Sequence, residues 1–113
     1  MRIQVSTFFK ILVVGVFSLI FCLALFAVPR PDDASDLFKQ KCSMCHGEDG
    51  KGYPALKTPD FTDPKVQASL TDKQIVEVIK NGKKGTAMPA FADKLSDEQI
   101  NSLVAYIRSL GKK

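Results

Sequence analysis

Apolar residues are distributed unevenly along the 113 residues of the chain. One stretch, residues 11–28, carries no charged side chain and is almost entirely apolar, whereas everything after it mixes short apolar clusters with polar and charged positions. This pattern predicts three parts. They are an N-terminal transmembrane anchor or signal segment over residues 1–28, a linker over residues 29–33, and a folded domain over residues 34–113.

The N-terminal segment has two interpretations. Residues 11–28 exceed the roughly 7–15 apolar residues of a signal peptide and approach the ~17–25 that cross a bilayer as a helix. The nearest candidate cleavage position, after Ala27, places bulky Leu25 where a small residue is expected. We therefore favour an uncleaved single-pass anchor in the cytoplasmic membrane, and Arg2 and Lys10 predict that the domain faces the periplasm. If the segment is cleaved, the domain is periplasmic and soluble.

Two helices are predicted in the second half of the domain, and each begins with a capping box. Residues 71–74 read Thr-Asp-Lys-Gln, and the helix they open ends at Asn81 and Gly82. Residues 96–99 read Ser-Asp-Glu-Gln and open a helix that Gly111 closes. Its apolar residues fall at i, i+3, i+4 and i+7, namely Ile100, Leu103, Val104 and Ile107.

The first half of the domain carries weaker signals. Ser35 is a candidate N-cap for a helix that continues towards Cys45, and the glycine-rich residues 47–52 predict a loop. Residues 53–64 contain three prolines and predict an extended segment with Phe61 turned inward. The expected fold class is all-α with long loops, which is unusual for a compact domain unless a ligand organises the loops.

Residues 42–46 read Cys-Ser-Met-Cys-His, the C-x-x-C-H pattern by which c-type haem is attached. Cys42 and Cys45 would form thioethers with the two vinyl groups, and His46 would be the proximal iron ligand. A zinc site needs about four protein ligands, but the chain has one histidine, and its third cysteine, Cys22, lies in the apolar segment. A thioredoxin-like dithiol would need a βαβ context that the sequence does not show.

An electron-transfer haem needs a sixth iron ligand, and Met88 is the candidate. No second histidine is present; Met1 precedes the apolar segment, and Met44 lies between the two attachment cysteines. Met88 lies in the predicted loop over residues 83–93 and is followed by Pro89. A thioether ligand favours reduced iron and raises the reduction potential.

Together these motifs resemble those of class I c-type cytochromes, particularly the small bacterial kind with a single haem. The resemblance covers about residues 34–110 and includes the C-x-x-C-H motif and residues 88–91 (Met-Pro-Ala-Phe). It implies a cytochrome c fold, in which the N- and C-terminal helices cross around one covalently bound haem c. In this chain an N-terminal transmembrane helix would be added.

The resemblance also implies roles for individual residues. Phe38, four positions before Cys42, would pack against Tyr106 in the last helix, and Ala34 stands where the family often has glycine at the helix crossing. Pro59 matches the proline whose carbonyl accepts the ring N–H of the proximal histidine, and it fits the pattern better than Pro54.

The net charge of +4 is modest, and no basic helix interleaved with aromatic residues suggests nucleic-acid binding. The expected function is one-electron transfer, not enzymatic catalysis, by a membrane-tethered carrier that acts between respiratory or related redox complexes. Lys83 and Lys84 would guide docking to acidic electron-transfer partners. A fixed subunit of a larger membrane oxidoreductase stays open as an alternative, and the protein would be a monomer or a complex subunit. A haem peroxidase would need an open iron position, which Met88 would fill.

Overall fold

Every regular element of the computed structural model, which describes residues 7–16 and 31–113, is helical. Residues 7–16 are helical and expose their apolar side chains. The domain that follows contains, in chain order, α1 (Pro31–Lys41), α2 (Ser43–His46), a 3₁₀ turn (Pro54–Leu56), α3 (Pro64–Ser69), α4 (Asp72–Asn81) and α5 (Asp97–Leu110). The all-α prediction is therefore confirmed for the described part of the chain.

The two capping boxes form as predicted. The Thr71 hydroxyl accepts a hydrogen bond from the Gln74 amide at 3.2 Å, and the Gln74 side chain accepts one from the Thr71 amide at 2.8 Å. Ser96 and Gln99 make the same reciprocal pair at the start of α5. These contacts satisfy backbone donors that have no partner within the helix, so the starts of α4 and α5 are set by local sequence.

The expected start of the first helix was wrong. It begins at Pro31 and not after Ser35, so residues 31–33 of the predicted linker lie in its first turn. A proline is tolerated there because its missing N–H would have no helical acceptor in the first turn.

The extended segment predicted over residues 53–64 also needs correction. It contains the 3₁₀ turn and ends at the first residue of α3. The Asp63 side chain caps α3 by accepting a hydrogen bond from the Lys65 amide at 2.8 Å, and Pro64 occupies the first helical position. Within this segment, Phe61 is 7% exposed, which confirms that it turns inward.

The first and last helices of the domain pack against each other, and α4 packs on α5. The Phe38 and Tyr106 rings lie 5.2 Å apart at 53°, as the resemblance implies. Ala34 is buried, as a close helix crossing requires. The core residues come from all parts of the domain; they are Ala34, Phe38, Phe61, Ile75, Ile79, Phe91, Leu95, Ile100, Leu103, Val104, Ile107 and Leu110.

Most of the predicted anchor lies outside the described residues, because the structure describes neither residues 1–6 nor residues 17–30. Within residues 7–16 and 31–113, no helix combines the length and the apolar character needed to cross a membrane.

Candidate functional site

The C-x-x-C-H motif lies where α1 ends and α2 begins. The Cys42 amide still donates to the Phe38 carbonyl at 2.8 Å, and the Cys42 carbonyl accepts from the His46 amide at 2.9 Å. Cys42 itself leaves the helical ladder with φ −119° and ψ −29°. The i, i+3, i+4 spacing along this turn places Cys42, Cys45 and His46 on one face, while Met44 is 88% exposed.

The two thiols are half-buried and are not joined in a disulfide. Burial raises the pKa of the Cys42 thiol to about 11, since a thiolate is poorly solvated there. Cys42 is therefore a protonated thiol at neutral pH. The i, i+3 spacing of the two cysteines on this turn suits attachment to one planar group.

The His46 imidazole lies between aromatic rings. It stacks on Phe61 with 5.1 Å between ring centroids and 17° between planes, and the Phe38 ring lies 6.4 Å away. Burial lowers the pKa of His46, because the charged imidazolium loses solvation. The ring is thereby kept neutral, which is the form that binds a metal.

One ring nitrogen of His46 is buried without a partner. Nδ1 makes no hydrogen bond among the described residues. The bond to the Pro59 carbonyl that the resemblance implies is not formed in this structure. That carbonyl lies instead beside Gly52, where a Cβ atom would come within 2.8 Å of it. A buried polar atom left without a partner costs about 1–3 kcal/mol, so Nδ1 marks a position where a hydrogen-bond partner is expected in the complete site.

Met88 is half-buried and packs against the same core as Cys42. Its loop is fastened to the last turn of α4, because the Phe91 amide donates to Ile79 at 3.0 Å and the Ala92 amide donates to Lys80 at 3.2 Å. Inside the loop, the Met88 carbonyl accepts from the Lys83 amide at 3.3 Å. The methionine is therefore carried on a loop anchored to a helix at its base.

Gly82 sets the path of this loop. Its φ of 71° and ψ of −177° are accessible to glycine and strained for other residues. A Cβ atom at this position would lie 2.7 Å from the Met88 carbonyl oxygen. The same glycine that ends α4 therefore allows Met88 to approach the helix end closely.

The residues present fit a covalently attached haem. Two thiols and a neutral imidazole share one face, and the imidazole has a buried, unpartnered ring nitrogen. Cys42, Cys45 and His46 would hold the group on one side. Met88 is the thioether available for the other side.

Two polar residues beside the site could not be identified from the sequence alone. Gln67 and Arg108 form a hydrogen-bonded cluster with Phe61, the residue that stacks on His46. These bonds join residues up to 41 positions apart, for which the sequence offers no periodic signal. Asp63-Pro64 could have indicated helix α3, on which Gln67 lies.

Comparison with known proteins gives a consistent result. A family model described as "Cytochrome C oxidase, cbb3-type, subunit III" matches residues 29–107. The cbb3-type cytochrome c oxidase subunit CcoP of Rubrivivax gelatinosus is 39% identical over 95 residues, covering 81% of this chain and 31% of the relative. The FixP subunit of Azorhizobium caulinodans is 35% identical over 83 residues, covering 74% of this chain and 28% of the relative. The chain thus spans less than a third of the length of these oxidase subunits.

Smaller proteins match over most of their length. Cytochrome c6 of Bryopsis maxima is 35% identical over 75 residues, covering 65% of this chain and 83% of the relative. Among solved structures, the KustC0563 c-type cytochrome superposes with a TM-score of 0.63 at 32% identity, covering 68% of this chain and 95% of that one. The described helices thus have the arrangement of a complete small c-type cytochrome.

Proposed function

Because the chain belongs to the family described as "Cytochrome C oxidase, cbb3-type, subunit III", whose c-type cytochrome domain implies haem c, we propose that it carries single electrons by one covalently attached haem. In this proposal Cys42 and Cys45 would hold the haem through thioether bonds, and His46 and Met88 would bind its iron. The observation that carries the proposal is the shared face of two free thiols and a neutral, partly buried imidazole.

Each residue contributes a distinct physical effect. The iron of the bound haem would supply the ferrous and ferric states between which an electron is stored. Cys42 and Cys45 hold the group on a short helical turn that is continuous with the core through α1. Met88 would close the second axial position, which leaves no site for a substrate and distinguishes a carrier from a peroxidase. Pro59 keeps its proposed role as the acceptor for His46 Nδ1, a hydrogen bond that would help to orient the imidazole.

The proposed location is the periplasmic face of the cytoplasmic membrane, with residues 1–28 as a single-pass anchor. Support comes from the uncharged residues 11–28, from the basic Arg2 and Lys10 before them, and from the exposed apolar side chains in helical residues 7–16. A tether of this kind confines the carrier near membrane complexes and raises its effective concentration there.

The proposed partner is a membrane redox complex of the cbb3 oxidase type. The oxidase subunits that match this chain motivate the choice. Lys83 and Lys84 are exposed in the Met88 loop, where positive charge would speed association with an acidic surface. A fixed subunit of such an oxidase is the second candidate, favoured by the same relatives.

Haem attachment is tested by denaturing electrophoresis with haem staining after expression in cells that mature c-type cytochromes. The double variant Cys42→Ala, Cys45→Ala should lose the stain, because no thioether can form. Cys22→Ala removes the remaining cysteine, outside the motif, and should keep the stain. Stain retained by the double variant would disprove covalent attachment at this site.

The sixth ligand is tested by Met88→Ala with Met44→Leu as a matched control. Met88→Ala should remove the weak near-infrared sulfur-to-iron band of the ferric protein and lower the reduction potential. Met44 is 88% exposed, so its replacement should leave both properties unchanged. An unchanged spectrum in Met88→Ala would assign the sixth position to another group.

Carrier and subunit are separated by purification from native membranes in mild detergent. A carrier elutes alone, whereas a fixed subunit elutes with the oxidase catalytic subunit, which mass spectrometry identifies. Washing the membranes with high salt before extraction removes partners held only by charge.

A further inference from the structure

Gln67 on α3 connects two distant backbone segments. Its Nε2 donates to the Phe61 carbonyl at 2.6 Å and to the Ile107 carbonyl at 2.8 Å. Both of its amide protons are thus used, one on the loop before α3 and one on α5. A side-chain amide with two satisfied donors holds these segments at a fixed separation.

Arg108 fixes the orientation of that amide. One guanidinium nitrogen, Nη1, donates to the Gln67 side-chain oxygen at 3.0 Å and to the Gln67 carbonyl at 2.7 Å. Nη2 donates to the Leu70 carbonyl, and Nε donates to Asp72 at 2.7 Å. Because arginine has only donors, the oxygen of Gln67 must face it and the nitrogen must face the two carbonyls.

The cluster reaches the candidate iron ligand through Phe61. The Phe61 carbonyl is held by Gln67, and the Phe61 amide donates to the Gly50 carbonyl at 2.8 Å. The ring between these two anchored groups is 7% exposed and stacks on His46 at 5.1 Å. A shift of the Phe61 backbone would therefore move the surface on which the imidazole rests.

We propose that Gln67 is a positioning residue for His46, acting through Phe61, and that Arg108 keeps it in the required orientation. The inference rests on the proposed function, since it concerns the ligand that His46 would provide. Pro59 would fix one edge of the imidazole by a hydrogen bond, whereas Phe61 restrains its plane by contact with its face. Gln67 thus contributes to the electronic properties of the site without touching the imidazole.

A purely stabilising role of Gln67 predicts a different result from a role in positioning His46. If Gln67 only joins α3 to α5, its removal lowers stability but leaves the haem iron unchanged. If it positions His46, its removal also changes the orientation of the imidazole plane. The electron paramagnetic resonance g values of a low-spin ferric haem report that orientation directly, so they separate the two roles.

The experiment measures the g values and the exchange of the Phe61 amide in the full haem protein. It compares three single variants (Gln67→Leu, Asp72→Asn and Phe61→Leu) with the double variant Gln67→Leu, Phe61→Leu. Gln67→Leu should shift the largest g value and speed exchange of the Phe61 amide about tenfold, equivalent to ~1.4 kcal/mol of local stability. Asp72→Asn keeps an oxygen that can accept from Arg108 Nε and removes only the negative charge of a side chain that is 70% exposed, so it should leave the g values unchanged. If Gln67→Leu does not fold, Gln67→Glu replaces it, because it keeps the acceptor for Arg108 and loses the donor to Phe61.

The double variant decides whether the effect passes through Phe61. In the Phe61→Leu background, replacement of Gln67 should add no further shift of the g values. Unchanged g values in Gln67→Leu would overturn the proposal, and so would a full shift that persists without the Phe61 ring. A wild-type protein without a low-spin ferric signal would instead refute the proposed function, so the two failures are distinguishable.

Discussion

Replacement of Gly82 by alanine should weaken the proposed bond between Met88 and a haem iron. The backbone at Gly82 has φ 71° and ψ −177°, where a residue with a Cβ atom is strained by about 1–3 kcal/mol. The added methyl group would also lie 2.7 Å from the Met88 carbonyl oxygen. Since close carbon–oxygen contacts are about 3.3 Å or longer, the Met88 backbone must move by roughly 0.6 Å.

That movement also strains the bond from the Lys83 amide to the Met88 carbonyl, which is already 3.3 Å long. Loss of one such hydrogen bond costs about 1 kcal/mol. Together with the backbone strain, the expected destabilisation is roughly 2–4 kcal/mol, measured by urea denaturation. The near-infrared sulfur-to-iron band should weaken and the reduction potential should fall, because the thioether ligand is displaced.

Gly85→Ala is the matched control in the same loop. Gly85 has φ 77°, so alanine is strained there by about 1–2 kcal/mol, but an added Cβ atom would have no neighbour within 4 Å. It should lower stability modestly and leave the band and the potential intact. Equal spectral changes in both variants, or none in Gly82→Ala, would refute the view that Gly82 controls the position of Met88.

Three further outcomes are expected. Tyr106→Ala should lower the free energy of unfolding by about 2–3 kcal/mol, which is less than for a fully buried aromatic because this ring is only half-buried. Tyr106→Phe keeps the contact with Phe38 and should leave the free energy of unfolding nearly unchanged. Hydrogen bonds from Thr62 hold the pKa of Asp60 below its ordinary value of 3.8. The folding stability that these bonds provide is therefore present above pH 3.8 and is lost as the pH falls through the lowered pKa of Asp60. The free energy of unfolding, measured by denaturation at stepwise lower pH, should fall less steeply for Asp60→Asn than for wild type. Equal slopes for the two proteins would contradict the role of Asp60. N-terminal sequencing of the native protein should find residues 1–28 retained, and a mature chain that starts near residue 28 in the periplasmic fraction would contradict the anchor.

The elements that the sequence predicted well are those determined by neighbouring residues. The capping boxes at Thr71 and Ser96 involve side chains three positions apart, so they are readable without knowledge of the fold. The C-x-x-C-H motif is local in the same sense, since the spacing of its three candidate haem-binding residues places them on one face of a single turn. Met88 stays a prediction made by elimination, because the chain contains few groups that can bind iron.

The parts that were missed depend on contacts between distant residues or on proline in a helical first turn. Pro31 lies in the predicted linker and Pro64 in the segment predicted to be extended, although each stands in the first turn of a helix. The bonds of Gln67 to residue 107 and of Arg108 to residue 67 cross 40 and 41 positions. Polar residues in such a cluster look like ordinary surface positions in the sequence, and only the fold shows that they bond to one another.

Both candidate iron ligands depend on the same pair of helices. The first residue of α4, Asp72, pairs with Arg108 near the end of α5, and Lys80 in the last turn of α4 pairs with Asp97 at the start of α5. The two helices are therefore antiparallel and bridged at both ends. Because exposed ion pairs contribute little, the apolar faces of α4 and α5 supply most of the stability and the pairs chiefly fix the alignment.

The two sides of the candidate haem site are each anchored to one helix of this pair. The Met88 loop is fastened to the carboxyl end of α4 by the Phe91 and Ala92 amides. Phe61, on which His46 rests, is held by Gln67 of α3, whose side chain is bonded in turn to Ile107 and Arg108 near the carboxyl end of α5. The helix pair thus anchors a support of each candidate ligand, namely the loop that carries Met88 and the Phe61 ring that packs on His46. A substitution that loosens this pair should disturb both ligands together, whereas Gly82→Ala and Gln67→Leu should each disturb one.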